Sequence, residues 1–410
     1  MISERAVYVG VVLPGQPAPT PAGLLKLARR ETIESGSFAY GLRYLDAAGA
    51  LALNPDHLPL RKEVFDLPEK RLRDGGALPL SLRDALPDTW GRAVLEAQHG
   101  PMDDIDVLLQ TNADRVGALV FSEQLPMPAG TPDAGIYELA QLAEAARRLE
   151  YHMEVPKALQ RLLRQGGSLG GARPKATFVH EGRRHLAKFP ARDDELDVPV
   201  LEAGTLAMAQ DCGIRVPAFF VQQIPNGSAL VLARFDRIGP IEREQRLHYL
   251  SASALLDVPY ESSAGSYVEL AQALRRISSE PAADLEELFR RMVFNIVVDN
   301  CDDHIKNHGV LRIDHGYRLA PAFDLVPQRL HLGNQQLAIL PGRFDSHLDL
   351  VREAAPHFGL GMEAAQKITH SIVQIVRDTW QGRMEEYGAR EEMIRVLKPH
   401  MERQLLDISR

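Results

Sequence analysis

The chain has 410 residues, 45% of them hydrophobic and 25% charged, with a formal net charge of -8. That balance is ordinary for a soluble globular protein of two or three packed units. It argues against a chain that binds nucleic acid as a whole, although a local basic patch stays open.

Two cysteines, Cys212 and Cys301, imply no disulfide framework and suit a reducing cytoplasm. The apolar run Val7 to Leu13 is too short to cross a membrane. It also lacks the basic start and the small-residue cleavage site of a secretory leader, so no membrane role is expected. The same run suits a strand. Phe38, Tyr40, Leu42 and Tyr44 alternate as on one strand face, and Asp46 to Gly49 reads as a turn. Segment 81–110 is more helical, and proline and glycine between 124 and 135 mark a seam. A glycine loop, Gly166 to Gly171, precedes strands Ala176–His180 and Arg184–Phe189. A helix fits Val198 to Asp211, stopped by Gly213, and a hairpin follows around Pro225-Asn226-Gly227. From about 247 the pattern is mainly helical. Leu285, Leu288, Phe289, Met292, Val293, Ile296 and Val297 hold helical spacing, with Asp284 and Glu287 as a capping-box-like start. Segments 362–380 and 390–407 are two more amphipathic helices.

Behind that best helix the chain reads Asp299-Asn300-Cys301-Asp302-Asp303-His304-Ile305-Lys306-Asn307-His308-Gly309. A short hairpin through Asp314-His315-Gly316 then delivers Phe323-Asp324. Helix, polar loop, hairpin and acid is the order of a kinase catalytic lobe. There a loop carboxylate takes the proton of the attacking hydroxyl, an amide five residues on binds magnesium, and an acid after the hairpin binds it from the other side. Asp302, Asn307 and Asp324 fit those three places, and an all-oxygen pair beside ATP phosphates suits Mg2+. A turn that only caps the helix is the plainer reading of Asp-x-His alone; Lys306, Asn307 and Asp324 in order outweigh it. A metal hydrolase built on Asp302, Asp303 and His304 is weaker, because zinc sites want more His or Cys. The glycine loop is no Walker A sequence, since no Gly-Lys-Ser/Thr follows. It suits the phosphate-covering loop of kinases, with Lys188 on the second strand after it as the phosphate lysine. For both Lys175 and Lys188 a solvated strand lysine is the alternative. Leu230 to Arg237 is placed as a kinase hinge, or as an ordinary linker.

Several runs together resemble the HipA family of toxin–antitoxin kinases: Ser168 to Lys175, Ala187 to Pro190, Arg234 to Arg237, Asp302 to Asn307 and Tyr317 to Asp324. Leu86 to Arg92 and Asp114 to Leu119 extend the resemblance over nearly the whole chain. It implies a serine/threonine-protein kinase toxin, held by a HipB-like helix-turn-helix antitoxin that carries the pair to operator DNA. The implied protein substrate is a translation component such as an aminoacyl-tRNA synthetase. By the same resemblance Asp302 is the catalytic base, and Asn307 and Asp324 hold magnesium. ATP is met by Gly170, Gly171, Ala172, Arg173, Pro174 and Lys175 of the loop, by Lys188, by Ala233, Arg234 and Phe235 of the hinge, by His304, Ile305, Lys306 and Asn307, and by Phe323 and Asp324. Ser168 matches an autophosphorylated serine. Ala233, Arg173-Pro174 and Pro327 depart from the familiar pattern, which bears on loop switching and substrate more than on chemistry.

The sequence therefore predicts a two-lobed, kinase-like α+β fold. An N-terminal subdomain would span 1–125, the ATP-loop part of the first lobe 126–237, and a helical lobe with the catalytic loop 238–410. The rivals are a small-molecule or lipid kinase and a catalytically silent co-repressor.

Overall fold

Val7, Val9 and Val11 are all buried, and their alternation sets one face of an antiparallel sheet. The structure is a computed structural model that describes residues 2–16, 18–111, 114–128, 139–155, 173–328 and 333–408. This first sheet holds β1 (Ile2–Val11), β2 (Thr20–Arg30), β3 (Ile33–Tyr40), β4 (Phe65–Arg71) and β5 (Leu119–Ser122), in the order β4-β3-β2-β1-β5. β1 thus starts earlier than the apolar run suggests, because an edge-to-edge pairing with β2 carries polar residues along. The alternation expected through Tyr44 stops at Tyr40. Leu42–Leu45 is a helical turn with Leu42 exposed, while the Tyr44 hydroxyl is bonded to both backbone groups of Leu51.

A second antiparallel sheet holds β6 (Lys175–His180), β7 (Arg183–Lys188), β8 (Phe219–Ile224) and β9 (Gly227–Ala233), in the order β6-β7-β9-β8. The helix Val198–Asp211 packs on it, buried around most of its circumference. A small ribbon, β10 (Arg237–Ile238) with β11 (Gln245–Arg246), leads to the helical lobe. There β12 (Tyr249–Ser251), β13 (Gly309–Ile313) and β14 (Gly316–Leu319) form a sheet beside the helices Tyr267–Ile277, Pro281–Val297, Met362–Glu386 and Glu391–Ile408. The layout is two-lobed and α+β. No helix among the described residues is long and apolar enough to cross a membrane.

Every apolar position assigned to the best helix is buried in one large core. Its start is corrected, however. The helix begins at Pro281, so Asp284 and Glu287 lie inside it and cap nothing. Asp284 accepts from Arg318, Arg215, Ser278 and the Leu319 N–H, and Glu287 binds Arg215 and Arg291. These charges anchor the hairpin that follows the loop 299–308. Gly309 is required there: a Cβ would sit 2.4 Å from the Tyr249 hydroxyl.

Candidate active site

β7 ends on Lys188, which stands directly opposite Lys175 on β6. Like charges facing each other across a strand pair repel. Both side chains are buried nonetheless, so neither is the solvated strand lysine of the alternative reading. The fold answers each with carboxylates. Lys175 Nζ lies 3.4 Å from Asp88, which also caps the helix Thr89–His99 by accepting from the Gly91 N–H. Lys188 Nζ donates to Glu202 Oε1 at 2.7 Å and to Asp324. Burial works to lower both ammonium groups. At Lys175 it prevails over Asp88 and Asp324; at Lys188 Asp324 and Glu202 prevail and hold the charge firmly. Burial pushes the Glu202 carboxyl up. At Asp324 burial is outweighed by Lys188 and then Lys175, which hold its carboxyl below the usual range.

Glu202 is the site residue that sequence reasoning missed. A signal existed: it is the only ionisable side chain between Val198 and Ala209 of an apolar helix. A buried charge of that kind requires a partner. Asp324 has a φ of 55°, in the left-handed region that non-glycine residues adopt at a cost and that clusters at functional sites.

Asp302 and Asp303 are neighbours with opposite surroundings. Asp302 stands at the rim of the loop, open to solvent on one side. Partial burial pushes its carboxyl up, aided by Asp324 and Asp303 and opposed by His304. Asp303 is fully buried. It accepts from the Tyr267 hydroxyl and lies 3.0 Å from His308 Nε2, while Asn300 donates to Asn295 and Asn295 to Tyr267. That buried network fixes the loop from beneath. Burial works to raise Asp303, but His308 and Tyr267 hold it below the usual range. Asn307 Nδ2 donates to the Asp302 carbonyl at 3.3 Å, which orients the amide. His304 packs edge-on to Tyr260, Lys306 lies 5.5 Å from the same ring, and Ile305 is buried.

The Ala233 N–H is committed to the Ala218 carbonyl at 2.8 Å and the Arg234 N–H to that of Arg184 at 3.1 Å. The Arg234 guanidinium binds Asp236 and the carbonyls of Asp114 and Arg115. Phe235 stacks on Phe323 with centroids 5.6 Å apart. Arg173 pairs with Asp194, and the Pro174 carbonyl takes the Phe189 N–H. Ser168, Gly170, Gly171 and Ala172 lie outside the described residues.

The structure thus brings Lys175, Lys188, Glu202 and Asp324 into one charged cluster, and the field of Asp324 reaches Asp302. An acid at the rim, a metal-competent acid behind it and two buried cations form a bed for a polyanion and a proton acceptor beside it.

Comparison with known proteins agrees with this layout. The HipA-like C-terminal domain family matches residues 167–380, and the HipA N-terminal domain family matches residues 18–122. Y4mE of Sinorhizobium fredii, a provisionally named kinase, is 28% identical over 314 residues, covering 70% of this chain and 71% of its own. The serine/threonine-protein kinase toxin HipA of Shewanella oneidensis is 22% identical over 308 residues, covering 64% of this chain and 68% of its own. A solved structure of the Shewanella oneidensis HipA, HipB and operator DNA complex superposes with a TM-score of 0.64. It covers 98% of this chain and 96% of the matched chain at 17% identity, which is a likeness of fold.

Proposed function

Since this chain belongs to the HipA family, we propose that it is an ATP- and Mg2+-dependent serine/threonine-protein kinase toxin, restrained by a HipB-like antitoxin. The observation that carries the reading is Lys188 held between Glu202 and Asp324. A kinase needs that lysine, its helix acid and the metal-binding acid in place together.

In the proposed reaction a protein hydroxyl attacks the γ-phosphorus of ATP. The bond to the β-phosphate oxygen breaks, ADP leaves with those electrons, and the hydroxyl proton passes to Asp302. Lys188 and Lys175 neutralise charge on the phosphates. The donor set fits magnesium: the Asp324 carboxylate and the Asn307 amide oxygen are hard ligands, and Asn307 is held in place by the Asp302 carbonyl. Bound there, the ion would supply charge neutralisation and alignment of the phosphates. Adenine would meet the Ala233 carbonyl and the Phe235 backbone at the hinge, with the stacked Phe235 and Phe323 rings as one wall. The glycine loop through Gly170, Gly171 and Ala172 would cover the phosphates, and Ser168 would be its modified serine. A net charge of -8 favours contact with operator DNA only through the antitoxin. A translation component such as an aminoacyl-tRNA synthetase is the substrate class we assign.

The test is Asp302→Asn with radiolabelled MgATP and an acceptor protein mixture. The amide keeps the loop but cannot take the proton at neutral pH, so MgATP binding should persist and phosphotransfer should vanish. Wild-type transfer rates in this variant would overturn the assignment.

A further inference from the structure

Asp302 hangs from a short stem, Val298 to Cys301, in which every residue is buried. Asp299 stands in that stem with φ 57°, the left-handed region that a residue with a Cβ enters at a cost. Such a backbone persists only where its surroundings over-determine it. Asp299 is held accordingly. Its N–H reaches the Ile296 carbonyl at 3.2 Å, and its own carbonyl accepts the Gln328 N–H at 2.9 Å. Its Oδ1 accepts from Cys301 Sγ at 2.9 Å, and its Oδ2 lies 3.3 Å from His400 Nε2.

His400 belongs to the last helix, Glu391–Ile408, which packs against the helix Pro281–Val297. Leu397, Met401 and Leu405 of that helix are buried in the large core at helical spacing. His400 and Gln404 sit in the same stripe, one turn apart, and both are buried. A polar side chain in a buried stripe costs stability unless it is partnered, and an apolar one would hold the helix as well. Both partners lie at one place. Gln404 Nε2 donates to the Ile296 carbonyl at 2.7 Å, the same oxygen that takes the Asp299 N–H. His400 faces the Asp299 carboxylate. The two side chains therefore grip one residue of the stem, from a helix that lies beyond the matched residues 167–380.

We propose that His400 and Gln404 are positioning residues: from the last helix they hold Asp299 in its left-handed conformation and so set where the loop presents the Asp302 carboxylate. The inference rests on the kinase reading and adds to it a part of the chain remote in sequence. Neither side chain touches a reacting atom. The network of Asp303 with Tyr267 and His308 fixes the loop just after Asp302, and the last helix fixes it just before.

The test uses the full chain with MgATP and an acceptor protein mixture. His400→Leu keeps the buried stripe and removes the N–H that serves Asp299. It should lower kcat by about tenfold, part of the roughly 100-fold that a misplacement of about 1 Å costs. KM for MgATP should stay within about twofold, because Lys188 and Asp324 are untouched. His400→Gln places an amide N–H near the position of the imidazole Nε2 and should restore most of kcat. Leu405→Ala, a cavity in the same helix, is the control: it should lower Tm without that fall in kcat. Hydrogen exchange of residues 298–304 should quicken in His400→Leu and not in Leu405→Ala. An unchanged kcat in His400→Leu, a Gln variant no better than the Leu variant, or an equal loss of kcat in Leu405→Ala overturns the inference. If His400→Leu does not fold, Gln404→Leu decides on the same terms, and wild-type kcat there overturns it. Wild-type transfer that is absent, or that survives Asp302→Asn, fails the kinase reading instead. The exchange measurement then still reports on the grip of the last helix, and unaltered exchange overturns that too.

Discussion

Glu202 is the sharpest place to press the proposed chemistry, because it touches no reacting atom and should nevertheless set the rate. Glu202→Gln keeps the shape of a fully buried side chain and removes one charge from the cluster of Lys188, Glu202 and Asp324. The 2.7 Å bond from the Lys188 ammonium then meets a neutral amide oxygen and loses its ion-pair component. Hydrogen bonds to charged groups contribute about 1.5–3 kcal/mol against roughly 1 kcal/mol for neutral ones. With about 1.4 kcal/mol per tenfold in rate, the loss in kcat/KM should be about 3- to 30-fold. It should come with weaker MgATP affinity, because Lys188 is left to Asp324 alone and is drawn towards it. Stability should change little, since replacing a member of a buried charge cluster by an isosteric amide also removes its desolvation cost. Glu202→Asp keeps the charge but shortens the reach, and should fall between the two. The assay is steady-state phosphotransfer with titrated MgATP, with the melting temperature followed in parallel. A Glu202→Gln enzyme within twofold of wild type at unchanged Tm would show that Lys188 needs no helix acid, and the reasoning would fail.

Two further outcomes follow from contrasts within the same lobe. Asp324→Ala should weaken MgATP binding with little loss of stability, whereas Asp303→Ala should cost about 3 kcal/mol by stranding the buried Tyr267 and His308; calorimetric titration and urea unfolding of both variants separate the roles, and matching profiles would refute the division. His248 is buried with Nε2 against the Leu53 carbonyl at 3.1 Å, and burial, aided by Arg312 and opposed by that carbonyl, lowers its pKa from 6.5 to about 4. Between those values the unfolded chain binds the proton and the folded chain does not. Its contribution is therefore complete above about pH 6.5 and is lost as pH falls towards 4, by roughly 2 kcal/mol on going to pH 5. Urea midpoints at pH 7.5 and 5 should show that loss in wild type and much less of it in His248→Gln; an equal loss in both would sink the assignment.

What the sequence disclosed was what chain order alone can carry. Asp302, Asn307 and Asp324 are recognisable because one loop and one hairpin hold them, and the helix before them announces itself by apolar spacing. Glu202 escaped because Val198–Asp211 is buried around most of its circumference, so no polar face marks a direction and a lone acid reads as noise. Lys175 and Asp88 are 87 positions apart, a pairing that only the folded sheet makes. The difference between Asp302 and Asp303 was inferred from motif spacing, but its cause is the His308 partner within the loop and the Tyr267 partner on a separate helix. Asp284 and Glu287 misled because a capping box and a buried charge network use the same residue types.

The N-terminal sheet also belongs to this site more closely than a seam near 124–135 suggests. Trp90 Nε1 donates to the Lys175 carbonyl at 3.1 Å, while Asp88 from the same turn faces the Lys175 ammonium, so that one motif fixes both ends of the residue. Asp236 accepts the Gly117 N–H at 2.8 Å together with Arg234 and Arg237, and Arg234 and Arg237 reach on to the Arg115 carbonyl. The Asp236 carboxyl is thereby held far below its usual range: burial works to raise it and is overcome by Arg234 and Arg237. Farther along, Asp84 accepts from both the N–H and the hydroxyl of Ser251, and Asn54 donates to the Ala254 carbonyl. Buried charge pairs of this kind add little net stability, but breaking one partner is expensive. Their effect is to make one register between the N-terminal sheet, the hinge and the helical lobe far better than its neighbours. Lys188 on β7, Glu202 on its helix and Asp324 after β14 come from three separate stretches of chain, and a common register is what a three-membered charge cluster needs in order to close. The Leu86–Arg92 and Asp114–Leu119 motifs therefore bear on the proposed chemistry by fixing the frame in which Lys175 and Arg234 to Arg237 stand.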